Sequence, residues 1–310
     1  MNKTIHDLAI IGSGPAGLTA SIYAQRAELS TIVIEKEPMS GGQIINTYEV
    51  DNYPGIPGIG GFDLAVKFRE HSDKLGATHV YGEVTAFEVE DGTKKIVLDN
   101  GEVYYSKSLI IATGAAPRKL NVKGEAEFQG MGVSYCATCD GAFFRGKTVA
   151  VVGGGDVAVE DAIFLARICK KVHVIHRREE FRAAKTLITK LLSFENVTVH
   201  WNSVVDEITG TDAVNGVKMR NVVTEETSEL KLDGVFIAVG NVPNSVVYTP
   251  TVEVDRGGYI VADESCETNV PGVFAAGDIR TKELRQVITA ASDGAVAVTG
   301  VERYLNNLLG

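Results

Sequence analysis

Short apolar runs recur along the chain, and the first of them leads into a turn rich in glycine. Residues 7–11 form this run, Gly12-Ser13-Gly14-Pro15-Ala16-Gly17 follows it, and residues 18–24 have the composition of a helix. A β-rich run over residues 31–34 then ends at Glu35. Strand, glycine turn, helix, strand and acid in this order predict a Rossmann βαβ unit, whose turn lets backbone N–H groups approach a pyrophosphate. The Glu35 carboxylate is expected to accept hydrogen bonds from an adenosine ribose.

The same order of elements returns in the middle of the chain. Residues 148–152 predict a strand, and Gly153-Gly154-Gly155-Asp156-Val157-Ala158 has alanine in the third position that the glycine fingerprint allows. Residues 159–167 predict a helix and residues 172–175 a second strand. The chain is therefore expected to contain two dinucleotide-binding units.

The second unit ends in basic residues where the first has an acid. His176 stands at the same distance from its glycine turn as Glu35 does, Arg177 and Arg178 follow it, and Arg182 comes shortly after. A carboxylate repels a 2′-phosphate, whereas guanidinium groups bind one through paired hydrogen bonds. We therefore predict that the first unit binds an adenosine with a plain ribose and that the second binds NADP. An exposed basic turn without a ligand is the alternative.

Each unit continues into a β-rich segment that closes with an apolar strand and a glycine. In the first unit this end is Ala112-Thr113-Gly114, and in the second it is Gly240. A third strand end of the same kind, at Gly277 and Asp278, has no glycine-rich βαβ unit before it. It is expected to return to the first unit, which requires the second unit to be an insertion.

The predicted fold class is therefore α/β, with two Rossmann-like, three-layer dinucleotide-binding domains, one inserted into the other. The chain is expected to cross between them near Pro117 and near residues 243–245, and two adjacent crossings allow one domain to turn against the other. The predicted boundaries are 1–116 and 245–310 for the first domain and 117–244 for the second.

Composition agrees with this prediction and excludes other classes. A chain of 310 residues is long for one domain, and its 45% hydrophobic and 23% charged residues are ordinary for a globular protein. A net charge of −10 argues against a nucleic-acid partner. No apolar run approaches the ~18 residues of a membrane span. The apolar residues 8–11 are too short for a secretory signal, so we expect a cytoplasmic protein.

A pair of cysteines separated by two residues provides the candidate chemistry. Cys136 and Cys139 are followed directly by Asp140. Such a pair favours the thiolate that exchanges disulfides, and the carboxyl group is placed to move a proton to or from sulfur. A zinc site needs further ligands, but Cys169 and Cys266 stand alone and are expected to be buried. We therefore predict a redox-active disulfide and no metal.

Nicotinamide transfers hydride and a dithiol reacts through thiolate, and a flavin connects the two chemistries. The first unit therefore predicts FAD, and the second unit NADPH. The domain formed by residues 1–116 and 245–310 is expected to bind FAD, and residues 117–244 are expected to bind NADPH and to carry the cysteine pair. Asp278, at a strand end before a helix, is a candidate ligand of the flavin's ribityl hydroxyls, although a helix cap is an equal alternative.

The chain as a whole resembles the low-molecular-weight thioredoxin reductases. Several motifs carry the resemblance: Gly41-Gly42-Gln43, Asn52-Tyr53-Pro54-Gly55, Ala112-Thr113-Gly114, Cys136-Ala137-Thr138-Cys139-Asp140, His176-Arg177-Arg178, Gly277-Asp278 and Arg285-Gln286-Val287. The resemblance implies a homodimeric FAD enzyme that passes electrons from NADPH to thioredoxin. It implies that Cys139 faces the flavin, that Cys136 attacks thioredoxin and that Asp140 protonates the leaving thiolate.

Together, the glycine turns and the resemblance give the expected cofactor contacts. Those for FAD are Gly12, Gly14, Pro15, Ala16, Glu35, Gly42, Gln43, Asn52, Ala112, Thr113, Gly114, Gly277, Asp278, Arg285, Gln286 and Val287. Those for NADPH are Gly153, Gly155, Asp156, His176, Arg177, Arg178 and Arg182.

Three other functions remain open on the sequence alone. A reductase of another disulfide partner, such as a glutaredoxin-like or peroxiredoxin-linked protein, needs the same residues. A dithiol oxidase that passes electrons to oxygen does not need the basic residues of the second unit. A redox sensor without catalysis does not need two complete dinucleotide units.

Overall fold

The computed structural model describes residues 4–47, 50 and 52–309, without the side chains of Asn46, Cys139 and Leu309. The chain divides into two compact units. Unit 1 consists of residues 1–116 and 242–310, and unit 2 of residues 117–241. Unit 2 is thus inserted into unit 1, and the fold class predicted from the sequence is confirmed.

The helices and strands fall into three segments of the chain, because unit 2 interrupts unit 1. The first segment contains β1 (Ile5–Ile11), α1 (Pro15–Arg26), β2 (Thr31–Glu35), α2 (Gly61–Lys74), β3 (Thr78–Tyr81), β4 (Val84–Glu90), β5 (Thr93–Leu98), β6 (Val103–Ile111) and β7 (Ala115–Pro117). The inserted segment contains β8 (Val133–Ser134), α3 (Ala137–Asp140), β9 (Thr148–Gly153), α4 (Asp156–Ala166), β10 (Lys171–Ile175), α5 (Lys185–Leu192), β11 (Val197–His200), β12 (Ser203–Gly210), β13 (Val214–Asn221), β14 (Thr227–Lys231) and β15 (Gly234–Ala238). The last segment contains β16 (Asn241–Pro243), β17 (Val273–Ala275) and α6 (Val287–Leu309).

One sheet forms the centre of unit 1. Strand β1 lies between β2 and β6 in parallel, and β3 lies parallel beside β2. The first half of β6 pairs antiparallel with β5, which continues to β4, and its second half pairs parallel with β17. The third strand end predicted from the sequence therefore returns to unit 1. Because the parallel strands share one direction, their carboxyl ends meet at one edge.

The two faces of this sheet are covered by different parts of the chain. Leu8 and Ile10 of β1 pack with α1 and with Val298 and Val301 of α6. Ile11, on the opposite face, packs in a cluster that contains Tyr248, Val252 and Ile260 from the last segment. Alternating apolar residues thus bury both faces, which gives three layers.

Unit 2 repeats this plan around a parallel sheet in the order β11-β10-β9-β15-β8. Val149 and Val151 of β9 face α4 and α5, whereas Ala150 and Val152 face the antiparallel sheet of β12, β13 and β14. Helix α4 ends at Ala166, one residue before its predicted end, and Cys169 is buried in the cluster beneath it, as expected.

A pair of histidines links the last two strands of the unit 2 sheet. Nδ1 of His173 on β10 lies 2.8 Å from Nε2 of His200 on β11. Burial, together with the neighbouring His200 and Lys171, lowers the pKa of His173 to about 4. Burial likewise lowers the pKa of His200. A single shared ring proton satisfies this contact, so both rings are neutral in the folded protein near neutral pH.

We expect acid to destabilise the protein through this pair. Both histidines titrate near about pH 6.5 in the unfolded chain, whereas folded His173 is protonated only near about pH 4. Between about pH 6.5 and about pH 4 the unfolded state therefore binds more protons than the folded state, and the free energy of unfolding falls as the pH falls through this window. Urea unfolding across the window measures this slope. His173→Gln with His200→Gln should flatten it, and the exposed His71→Gln should not; an unchanged slope in the double variant would contradict the prediction.

Candidate functional site

The first glycine turn packs so tightly that the first and last of its glycines have no room for a side chain. Gly12 has a φ of 101°, and a Cβ atom there would overlap the carbonyl oxygen of Ala112. A Cβ on Gly17 would overlap the carbonyl oxygen of Gly12. Helix α1 begins at Pro15, directly after Gly14. The first N–H groups of the helix have no partner within it, so the turn presents donors to an anion.

Glu35 lies beside this turn at the end of β2. Its Oε2 atom accepts hydrogen bonds from the N–H and the Oγ–H of Ser13, both at 2.7 Å. Its Oε1 atom accepts one from the N–H of Glu37 at 3.0 Å. The carboxylate predicted to bind a ribose is therefore fixed against the glycine turn by the chain itself. Ser13 is the contact that the sequence did not indicate.

A second turn of glycines packs against the first. The N–H of Gly41 donates to the carbonyl oxygen of Ser13 at 2.7 Å. Gly42 has a φ of 59°, and a Cβ there would lie 3.3 Å from the Cα atom of Gly14. Gln43 follows in a short 3₁₀ helix and is exposed. The structure thus brings Gly42 to the turn that starts α1.

Other predicted contacts of the first unit also lie at strand or helix ends. Asn52 donates through Nδ2 to Oε1 of Gln286 at 2.8 Å, just before Val287 begins α6. Thr113, after β6, donates through Oγ1 to the carbonyl oxygen of Asn244 at 3.0 Å, and Asn244 returns a bond to the Thr113 carbonyl at 2.8 Å. Distant parts of the chain therefore converge on this edge of unit 1.

Asp278 and Arg285 carry buried polar atoms that the described part of the chain leaves unpaired. Among the described residues, neither Oδ1 of Asp278 nor Nε of Arg285 has a hydrogen-bond partner. The Arg285 guanidinium stacks on the Tyr259 ring, 4.0 Å from its centroid. Burial raises the pKa of Asp278, against the opposing effect of nearby Lys282 and Arg285. Unpaired buried polar atoms are costly, so these two indicate that a ligand binds beside them.

The second glycine turn leads into α4. A Cβ on Gly153 would overlap the carbonyl oxygen of Ala238, whereas one on Gly155 would meet open space. Asp156, the first residue of α4, accepts the N–H of Ala184 through Oδ1 at 2.7 Å. The turn of unit 2 is thus closed toward β15 and open at the start of the helix.

His176 lies behind this turn. Its ring fills the space that a Cβ atom would need at Gly154, and its Nε2 atom lies 2.9 Å from the carbonyl oxygen of Glu180. Phe181 and Trp201 pack around it. Burial lowers the pKa of His176, with opposing and smaller effects from its backbone hydrogen bonds. The ring therefore supports the turn, and its predicted contact with NADPH stays a prediction.

Arg177, Arg178 and Arg182 are exposed around the same turn. The backbone N–H of Arg182 donates to the carbonyl oxygen of Gly154 at 2.8 Å, which places this residue next to the turn. Within the described ranges no side-chain hydrogen bond or ion pair joins any of the three to another residue. Guanidinium groups without an acid partner are suited to bind a phosphate.

The predicted redox pair lies at the end of β8. Cys136 forms a disulfide, its N–H donates to Oγ of Ser134 at 3.0 Å, and its sulfur lies 3.4 Å from Oγ1 of Thr138. Cys139 lies in α3, and its side chain is outside the described part of the structure. The N–H of Asp140 donates to the Cys136 carbonyl oxygen at 3.2 Å, so the helical turn closes over Cys136.

A buried carboxylate anchors the strand that leads to Cys136. Glu125 is 2% exposed and accepts the N–H groups of Leu120 and Asn121 and the hydroxyl of Tyr135, the last at 2.7 Å. Burial and this hydrogen bond raise the pKa of Tyr135. Because Tyr135 directly precedes Cys136, the contact fixes the chain where the redox helix begins. An isolated acid in a loop gives no sequence signal for this role.

The remaining thiols differ from the redox pair. Cys169 and Cys266 are free and buried. Burial raises the pKa of Cys169 to about 11 and that of Cys266 to about 12, which disfavours the reactive thiolate. Among described residues, no cluster of three or more His, Cys, Asp or Glu side chains has the arrangement of a metal site. No helix in the described ranges has the length and apolar content to cross a membrane.

Comparison with known proteins finds relatives that match almost the whole chain. Residues 6–294 match the family model described as pyridine nucleotide-disulphide oxidoreductase. A thioredoxin reductase of Bacillus subtilis is 46% identical over 99% of this chain and 96% of its own. The crystal structure of Lactococcus lactis thioredoxin reductase is 42% identical, with a TM-score of 0.83 over 97% of this chain and 99% of its own. The crystal structure of a ferredoxin-flavin thioredoxin reductase of Clostridium acetobutylicum is 29% identical, with a TM-score of 0.55 over 100% of this chain and 99% of its own.

Proposed function

This chain belongs to the pyridine nucleotide-disulphide oxidoreductases and, within them, to the low-molecular-weight thioredoxin reductases, and from this premise we propose that it reduces the disulfide of a thioredoxin. The enzyme is an NADPH-dependent thioredoxin-disulfide reductase and a flavoprotein that binds FAD. The observation that carries the proposal is the disulfide at Cys136, within a Cys-x-x-Cys-Asp segment of a chain that has two dinucleotide turns.

Unit 1 has the groups that FAD requires. The donors of the first glycine turn suit its pyrophosphate, and the fixed Glu35 carboxylate suits its adenosine ribose. The unpaired Oδ1 of Asp278 and Nε of Arg285 supply an acceptor and a donor for the rest of the molecule. We therefore assign FAD to residues 1–116 and 245–310. When bound there, FAD would supply a carrier for two electrons between NADPH and the disulfide.

We assign NADPH to residues 117–244. The start of α4 after Gly155 offers N–H donors to the pyrophosphate, and Arg177, Arg178 and Arg182 offer exposed guanidinium groups to the 2′-phosphate. The Clostridium acetobutylicum relative has the same fold and is named for ferredoxin, so the fold alone does not specify the electron donor. The three arginines favour NADPH.

The proposed chemistry of the cysteine pair begins when both thiols are reduced. The Cys136 thiolate attacks one sulfur of the thioredoxin disulfide, a mixed disulfide forms, and the other thioredoxin sulfur leaves as a thiolate. Cys139 then attacks the Cys136 sulfur, which re-forms the Cys136–Cys139 disulfide and releases the second thioredoxin sulfur. Asp140 supplies the proton that a leaving thiolate requires. Two electrons thus pass from the dithiol to thioredoxin.

Two further assignments rest on the family and on cysteine usage. We propose a homodimer, which size-exclusion chromatography with light scattering tests directly. We also propose that the enzyme acts in the cytoplasm, because a Cys-x-x-Cys pair without a wider disulfide framework is typical of a reducing compartment. Cell fractionation tests this second assignment.

The experiment that tests the function is anaerobic NADPH consumption by the purified holoenzyme, with and without thioredoxin. We expect turnover only when thioredoxin is present. A different outcome is that NADPH reduces the flavin while NADPH consumption depends on a glutaredoxin-like protein and not on thioredoxin. In that case the proposed electron path is right and the proposed partner is wrong. If NADPH does not reduce the flavin, the role assigned to the unit 2 arginines is wrong.

A further inference from the structure

A buried ion cluster lies behind Gly277 and Asp278 in unit 1, and we infer that its central residue, Asp293, is a positioning residue for FAD. It lies in the second turn of α6 and has no assigned contact with the cofactor. The inference rests on the proposed assignment of FAD to unit 1, and it concerns how firmly the chain holds that cofactor.

Asp293 is 6% exposed, and hydrogen-bond donors surround its carboxylate. Its Oδ2 atom accepts the Gly277 N–H at 2.9 Å, Nε of Arg280 at 2.9 Å and Nζ of Lys282 at 2.8 Å. Its Oδ1 atom accepts Nη2 of Arg280 at 3.0 Å, so the arginine binds in two-point fashion. Burial alone would raise the pKa of Asp293, but the hydrogen bonds from Arg280, Lys282 and Gly277 lower it overall.

Two paths lead from this carboxylate to the unpaired atoms of the FAD site. The first is the bond to the backbone of Gly277, which directly precedes Asp278 and whose φ of 81° makes the turn sharp. The second runs through Arg280, whose backbone carbonyl oxygen accepts Nη2 of Arg285 at 3.2 Å. The buried Asp293 carboxylate thus holds the backbone just before Asp278. It also holds Arg280, whose carbonyl oxygen binds the Arg285 side chain.

The position of Asp293 is itself constrained by the packing of its helix. The next residue, Gly294, lies so close to α1 that a Cβ would overlap the carbonyl oxygen of Ala16. Helix α6 is therefore held against the helix that begins at the first glycine turn. The Asp293 carboxylate, which is next to this contact in the chain, therefore connects the helix packed against that turn with Gly277.

The charges in the cluster explain why a carboxylate is needed. The side chains of Arg280 and Lys282 are 6% and 8% exposed, and Asp293 is the anion that both contact. Without its charge, two buried cations would remain, and the nearby unpaired carboxylate of Asp278 would become their natural partner. Lys282 already lowers the pKa of Asp278 electrostatically, against the larger effect of burial. An Asp278 side chain paired with Lys282 would no longer be available to FAD.

The test measures how fast FAD leaves the holoenzyme in the wild-type protein, Asp293→Asn, Asp293→Asn with Lys282→Gln, and Glu267→Gln. We expect Asp293→Asn to release FAD about tenfold to 100-fold faster, because a hydrogen-bonded buried charge is lost. Removing the excess cation in the double variant should recover part of this loss. Glu267, an exposed acid of the same unit, is the matched control, and Glu267→Gln should stay within about twofold of wild type.

The melting temperature of each apoprotein separates positioning from general stability. An unchanged FAD release rate in Asp293→Asn overturns the inference. It is also overturned if the single and double variants release FAD equally fast and their apoproteins lose stability in parallel. If Asp293→Asn does not fold, Arg280→Lys, which keeps the charge and removes the two-point contact, must release FAD faster, and an unchanged rate overturns the inference. A wild-type protein that retains no FAD would refute the proposed function, and this inference with it.

Discussion

Cys139→Ser is expected to lower thioredoxin reduction by at least about 1,000-fold, since loss of an essential nucleophile has effects of that size or larger. A serine at this position cannot re-form the disulfide with Cys136, so the two electrons of one turnover have no route to thioredoxin. The residues proposed to bind the two cofactors do not include Cys139. The variant should therefore remain loaded with FAD, and NADPH should still reduce the flavin. Anaerobic flavin absorbance and thioredoxin-dependent NADPH consumption measure the two steps separately.

Cys169→Ala is the matched control for this variant. It removes a thiol from the same unit, but from a buried position whose raised pKa makes it unreactive. Its turnover should equal that of the wild type, at the cost of some stability. If Cys139→Ser retained full thioredoxin reduction, the assignment of the redox pair would be wrong.

Arg177→Ala together with Arg178→Ala is expected to lower kcat/KM for NADPH about 100-fold, the size of one or two lost hydrogen bonds to a charged group. The same variant should use NADH almost as well as the wild-type protein does, because NADH has no 2′-phosphate for these side chains to bind. Steady-state rates with both nucleotides, at fixed ionic strength, give the ratio directly.

The control for this pair removes the same charge elsewhere in unit 2. Arg145 and Arg167 are exposed, and replacing both with alanine should leave the preference for NADPH unchanged. If the Arg177 and Arg178 variant loses kcat/KM equally for NADPH and NADH, these arginines do not bind the 2′-phosphate. A loss in the control variant as well would indicate a long-range effect of net charge instead.

The sequence predicted those parts of the fold that depend on patterns of neighbouring residues. A strand, a glycine turn and a helix follow each other within a few residues, and both units show them where expected. The return of β17 to unit 1 was also predictable, because a strand end without its own βαβ unit had to join an existing sheet. The ends of helices were placed less well: α4 covers Asp156–Ala166 where residues 159–167 were predicted, although Cys169 is buried as expected.

The supports of the site were not predictable, because they either join residues far apart in the chain or leave no recognisable local pattern. Ser13 holds Glu35 across a strand and a helix, and Asp293 collects donors from a different loop. Glu125 gave no signal, since a carboxylate that accepts three backbone N–H groups looks in the sequence like any surface acid. His176 was predicted by register to bind a ligand, but register alone does not distinguish an exposed ring from one packed under a glycine. Such roles follow from tertiary packing.

The insertion of unit 2 sets an order for assembly during synthesis. Unit 2 is one continuous segment, so all of its strands are available once residue 241 has left the ribosome. Unit 1 is different, because β17 and α6, which complete its sheet and its helical layer, are synthesised only after unit 2. Domains fold as units while the chain emerges, so the inserted domain should be native while its host is still an incomplete sheet with an unpaired edge on β6. If unit 1 binds FAD, as proposed above, the nascent chain completes the FAD site after the NADPH site.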